Sequence, residues 1–200
     1  MEGDFALDRE ALMQNFTQLN RMKQDLLKKI SKNEKKLNSA LQEMKNYIKP
    51  PVVIVRVFVS LFILLQVDGF EEYLGPSLSK FPADPHKLWK FAKSHIQLSQ
   101  MHPKNLIRML KDASKAHSEI GSTSPQHKEF LMKAALMLMD PVTTEDVKRA
   151  SEVAVMLLQW IKVGMKQVQT EIELLKLETK IKRMTNRNAF KAVGLVGRMM

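Results

Sequence analysis

The stretch "NYIKPPVVIVRVFVSLFILLQV", Asn46 to Val67, decides how the rest of the chain is read. Before it the sequence is charged and repetitive. After Pro50 and Pro51 come 16 residues, Val52 to Val67, whose only charge is Arg56. Three readings compete for this run. As a transmembrane helix it rises about 24 Å against a hydrocarbon core of about 30 Å, and it carries Arg56 inside. As strands it has the β-branched content, but no turn residue interrupts it and no other segment alternates to pair with it. As the buried central helix of a small helical domain it needs apolar partners all round, which segments 88–110, 130–139 and 153–161 supply. The prolines favour the third reading. Neither donates a backbone hydrogen bond, so an incoming helix breaks or kinks there, and a helix restarting at Pro51 leaves at a new angle.

On the N-terminal side the residues form a seam. Leu12, Leu19, Leu26, Asn33, Ala40 and Tyr47 are seven apart, as are Phe16, Lys23, Ile30, Leu37 and Met44. Interleaved, the two sets give the alternating spacing of a coiled-coil strand, with Lys23 and Asn33 as polar interruptions of the kind that fixes register. Asp8 to Lys49 would span roughly 60 Å as one helix. On the C-terminal side, Lys148 to Met184 contains no proline. Val153, Met156, Leu157, Trp160 and Ile161 make its first half heavily apolar. Its second half thins to Met165, Val168, Ile172 and Leu175, then shifts phase to Leu174, Leu177, Ile181 and Met184, as at a stutter.

One seam leads in and another leads out, so pairing them within one chain buries both. The expected fold is therefore all-α: an antiparallel two-helix coiled-coil stalk capped by a small helical bundle. Residues 1–49 are the outgoing strand, 50–161 the tip, 162–188 the returning strand, and 189–200 a tail without regular structure. Helices are expected in the tip at Pro51–Val67, Pro85–Gln100, Pro103–Ala116 and Gln126–Met139, each beginning near proline or a capping residue. Ser124 precedes Pro125 as a cap, and Thr143 or Thr144 starts the helix after Asp140-Pro141.

The chain of 200 residues has 32 basic and 21 acidic side chains, a net charge of +11. Residues 1–49 carry 10 basic and 7 acidic groups, 76–120 carry 8 and 3, and 150–200 carry 9 and 4. Such a balance favours an acidic partner. Cysteine is absent, which excludes disulfides and thiolate metal sites. The opening "MEGDFALDRE" is acidic and lacks the apolar core of a signal peptide.

Catalytic chemistry has little to stand on. His86, His95, His102, His117 and His127 do not pair at the spacing of a helical zinc site. No G-x-S-x-G surrounds a serine, and no G-x-x-x-x-G-K-[ST] loop occurs. Trp89, Phe91 and Trp160 sit at apolar helical positions and read as core. The expectation is a protein that is not an enzyme and holds no cofactor or metal.

Two motifs carry a resemblance. "KPPVVIVRVFVSLFILL" places a long apolar helix after a proline pair. About 90 residues later, "DPVTTEDVKRASEVAVMLLQWI" places Glu145, Val147, Lys148, Arg149, Ser151 and Trp160 after an Asp-Pro turn. Bracketed by the two seams, from about Lys49 to Lys180, the chain resembles the dynein heavy chain stalk with its microtubule-binding domain. The resemblance implies a track-binding tip, with Pro50 and Pro51 as the joint between stalk and tip. It implies that Arg56, Lys87, Lys90, Lys93, Lys104, Arg108, Lys111, Lys148 and Arg149 face the acidic microtubule surface, and Lys115 belongs to the same basic stretch. Tubulin and other dynein subunits would be the partners, without nucleic acid or membrane. The place of action would be the cytoplasm and cytoskeleton, with the cilium and axoneme included. Two features depart from the family pattern. The first basic residue after the prolines, Arg56, comes one position late, and "EFLMKAALMLMDP" carries Lys133 alone. The alternative function is a helical protein anchored in a membrane by Val52–Val67, with basic flanks at anionic lipid; a nucleic-acid binder is a weaker third, with no motif behind it.

Overall fold

A computed structural model describes residues 2–66, 87–90, 93–94, 102–116, 125–140 and 142–196. These residues are all-α, with no strand among them. The helices are α1 (Glu2–Lys32), α2 (Glu34–Asn46), α3 (Val52–Leu64), α4 (Pro103–Ala116), α5 (Pro125–Met139), α6 (Thr144–Ala150) and α7 (Glu152–Val196). Of the helix expected at Pro85–Gln100, residues 87–90 and 93–94 are helical, and the remainder lies outside the described residues.

The apolar stretch becomes α3, the central helix. Ile54, Val55 and every residue from Val57 to Leu64 are buried. Its Val and Ile content would suit a strand, but burial on all faces overrides that preference, at about 1.5–3 kcal/mol for each large apolar side chain enclosed. Phe58 and Phe62 meet edge to face, with centroids 6.3 Å apart. α3 packs against α5, α6 and α7. Its 13 residues rise about 20 Å, and no helix among the described residues is long and apolar enough to cross a membrane. The helix ends at Gln66, whose φ of 50° turns the backbone left-handed.

Pro50 and Pro51 part α2 from α3 as expected. Tyr47, at the C-terminus of α2, is already extended (ψ 122°), and Pro51 caps α3, its carbonyl accepting from the Ile54 amide at 2.9 Å. Two further breaks were not expected. Asn33 interrupts the first strand: its Nδ2 donates to the Lys29 carbonyl at 2.8 Å, satisfying an acceptor that the helix leaves open. Ser151 separates α6 from α7, and its Oγ accepts from the Ala154 amide at 3.3 Å as an N-cap. Thr143 caps α6, accepting from the Asp146 amide at 3.1 Å. The tail needs a correction, since α7 stays helical as far as Val196.

α1 and α7 run antiparallel. Moving up α1, Phe5, Arg9, Asn15 and Lys23 meet Lys180, Glu178, Thr170 and Gln167 in turn. The first seam lies largely on the buried face, with Phe16, Leu19, Lys23, Ile30, Leu37 and Met44 enclosed. Leu27 and Leu41 are buried as well, and α4 packs on both α1 and α2. The expected strands are not packed apart from the expected tip. α4 lies on α1, and α5 lies along α7, where its Glu129 pairs with Lys176 at 2.6 Å.

Candidate interaction site

α4 is divided lengthwise by its sequence. Leu106, Ile107 and Leu110 are buried toward α1 and α2. Lys104, Arg108, Lys111 and Lys115, spaced by four, three and four, form an exposed row on the other side. Lys87 and Lys90 are exposed on a helical turn whose Leu88 and Trp89 are buried. Trp89 Nε1 donates to the Tyr47 carbonyl at 3.3 Å, which pins that turn to the end of α2, three residues before Pro50. Lys93 is half-buried.

The remaining basic residues belong to other elements. Arg56 is half-buried on α3. Lys148 and Arg149 are exposed in the last turn of α6, which packs on α3 and α7, and Arg149 stands 3.7 Å from Asp146. The expected residues thus fall into two groups. Lys104, Arg108 and Lys111 lie on α4, which packs on α1 and α2, and Lys87 and Lys90 lie on the turn held to the end of α2. Arg56, Lys148 and Arg149 ride with α3 and α6.

Between α1, α5 and α7 lies a cluster of polar groups inside the core. Lys23 is fully buried. Its Nζ donates to Gln167 Oε1 at 3.1 Å and lies 4.9 Å from the centroid of the Trp160 ring. Gly164 leaves room for it on α7: a Cβ there would sit 3.8 Å from Lys23 Cε and 3.6 Å from Leu64 Cδ1. One turn along α7, buried Glu171 forms an ion pair with buried Lys128 of α5. Asn15 Nδ2 donates to Thr170 Oγ1 at 3.3 Å, and that hydroxyl donates to the Lys166 carbonyl at 2.9 Å. Burial lowers the Lys23 pKa from 10.5 to about 7, and the Glu171 charge opposes the shift. Lys23 was legible as a polar seam position. Gln167 and Glu171 lie beside the seam residues Val168 and Ile172, and no sequence signal marks Lys128 as buried.

Among the described residues no three metal-ligating side chains gather. Compared with known proteins, the chain matches no family model, no curated protein and no solved structure.

Proposed function

We propose that the chain is a non-catalytic, microtubule-binding stalk-and-tip module of a dynein heavy chain-like protein, taking part in microtubule-based movement. In this reading α1–α2 and α7 are the outgoing and returning strands of an antiparallel coiled coil, and the helices from α3 to α6 belong to the tip. The observation that carries it is the route of the chain. A seam-bearing helix enters, breaks at Pro50-Pro51, builds a helical bundle carrying exposed cations, and leaves through a second long helix antiparallel to the first.

The electrostatics agree with an acidic track. Lys87, Lys90, Lys104, Arg108, Lys111 and Lys148 are exposed, and uncompensated surface cations steer association with an anionic surface. Tubulin would be the direct partner, other dynein subunits would be neighbours, and the cytoskeleton, cilium and axoneme would be the place of action.

Co-sedimentation with microtubules across a salt series tests the reading. Pelleting should weaken with salt, and weaken further when Lys87, Lys90, Lys93, Lys148 and Arg149 are neutralised together. Replacing Pro50 and Pro51 by Ala should change the affinity while the circular dichroism stays helical. A folded chain that remains in the supernatant at low salt rejects the proposal.

A further inference from the structure

The break at Asn33 creates a feature that the tip reading does not use. Where α1 hands over to α2, the chain meets the start of α4, and a groove of about 740 Å³ opens between them. Lys32, Lys35, Lys36, Asn38 and His102 line it, with Glu34 as the one carboxylate among its lining residues. Lys32, Lys35 and Lys36 are exposed, and none forms an ion pair among the described residues. Some cations elsewhere are paired: Arg9 with Glu178, Lys28 with Asp25, Lys128 with Glu171, Arg149 with Asp146 and Lys176 with Glu129. Lys104, the first residue of the exposed α4 row, follows the lining residue Pro103 directly.

We propose that this groove and the α4 row form a binding channel for an extended acidic peptide segment, rich in Asp or Glu. Three lysines against one carboxylate leave the concave lining net positive, which favours an anionic chain. The lining chemistry selects the class of partner. Nucleic acid is gripped by Arg forks on phosphate and by aromatic platforms under the bases; the groove lining has neither arginine nor a Phe, Tyr or Trp, and the α4 row adds Arg108 alone. A lipid surface calls for exposed apolar side chains to insert, and the lining supplies none beyond Pro103. Lysine ammonium groups are compact point charges on flexible stems, suited to carboxylates that arrive on a mobile peptide.

The channel deepens the proposed function, since an acidic segment could belong to the same track. Its test needs no track. A fluorescein-labelled oligoglutamate peptide of about twelve residues, long enough to follow groove and row, is titrated with the full chain at about 0.05 and 0.15 M salt. Saturable binding is expected, weaker at the higher salt. The triple substitution Lys32→Gln, Lys35→Gln, Lys36→Gln should weaken it by about tenfold or more, while Lys162→Gln with Lys166→Gln on α7 changes it less than about twofold. All five side chains are exposed, so circular dichroism should be unchanged. Equal binding by wild type and the triple variant overturns the channel, as does tighter binding of a single-stranded oligonucleotide of equal charge. Microtubule pelleting that persists without peptide binding overturns the channel alone. Peptide binding without pelleting supports the channel and rejects the track-binding reading.

Discussion

Lys23 of α1 and Gln167 of α7 meet inside the core, ammonium to amide oxygen at 3.1 Å, with the Trp160 ring beneath the amine. A lysine without solvent exposure in a helix seam is costly to keep charged, and its acceptor Gln167 lies on the facing helix. The contact therefore helps to fix the register of α1 on α7, together with Asn15–Thr170. Sliding either helix by a turn would leave a buried amine without its acceptor, a loss on the order of 1–3 kcal/mol.

Stability should depend on pH through this residue. The unfolded chain holds the Lys23 proton up to about 10.5, whereas the folded chain releases it at about 7. Between those values unfolding takes up a proton, so raising the pH penalises unfolding and stability rises. The gain should be on the order of 4 kcal/mol by pH 10, and below pH 7 this group adds no slope. Denaturant unfolding of wild type and Lys23→Met from pH 6 to about 10 isolates it. Parallel curves for the two proteins would dismiss the shift.

The Lys128–Glu171 pair should behave as a unit. Glu171→Gln leaves the Lys128 charge buried without its carboxylate and should cost about 3–5 kcal/mol. Replacing both, as Lys128→Met with Glu171→Leu, should recover most of that loss. A double-mutant cycle by denaturation reads the coupling, and simple additivity would count against it. Glu171→Gln should also push the Lys23 titration lower, because the Glu171 charge is what opposes the effect of burial there.

Gly164 occupies mid-helix in α7, where glycine costs about 1 kcal/mol relative to alanine. The Cβ of alanine would meet Leu64 Cδ1 at 3.6 Å and Lys23 Nζ at 3.9 Å, both ordinary contacts. Gly164→Ala should therefore raise stability by about 0.5–1 kcal/mol. Thermal unfolding checks this, and a lowered midpoint would mean that the amine needs the space.

Gln66 ends α3 at a φ of 50°. A side chain in that conformation costs about 1 kcal/mol, which glycine avoids. Gln66→Gly should stabilise by roughly that amount, whereas a β-branched Gln66→Val should destabilise. Equal midpoints for the two variants would dismiss the strain.

Much of the helical plan could be read from local chemistry. The proline pair marks the break after α2, Pro103 and Pro125 mark the starts of α4 and α5, and Thr143 marks the start of α6. The row Lys104, Arg108 and Lys111 could be placed on one face because helical spacing alone puts it opposite Leu106, Ile107 and Leu110. The seam was legible at Phe16, Leu19, Ile30, Leu37 and Met44. It was incomplete at Leu27 and Leu41, which are buried although they lie outside both heptad rows.

By itself the sequence determined the all-α class and the central position of α3, since periodicity and proline stereochemistry act within a few residues. Only the tertiary structure decided the Asn33 and Ser151 breaks, the buried Lys23–Gln167 and Lys128–Glu171 contacts, and the groove beside Lys32, Lys35 and Lys36. Each of these joins groups distant in the chain or turns on a local choice that neighbouring helices tip. Whether a lysine is a solvated surface charge or a buried partner depends on which helix covers it, and the lysine itself carries no mark of that.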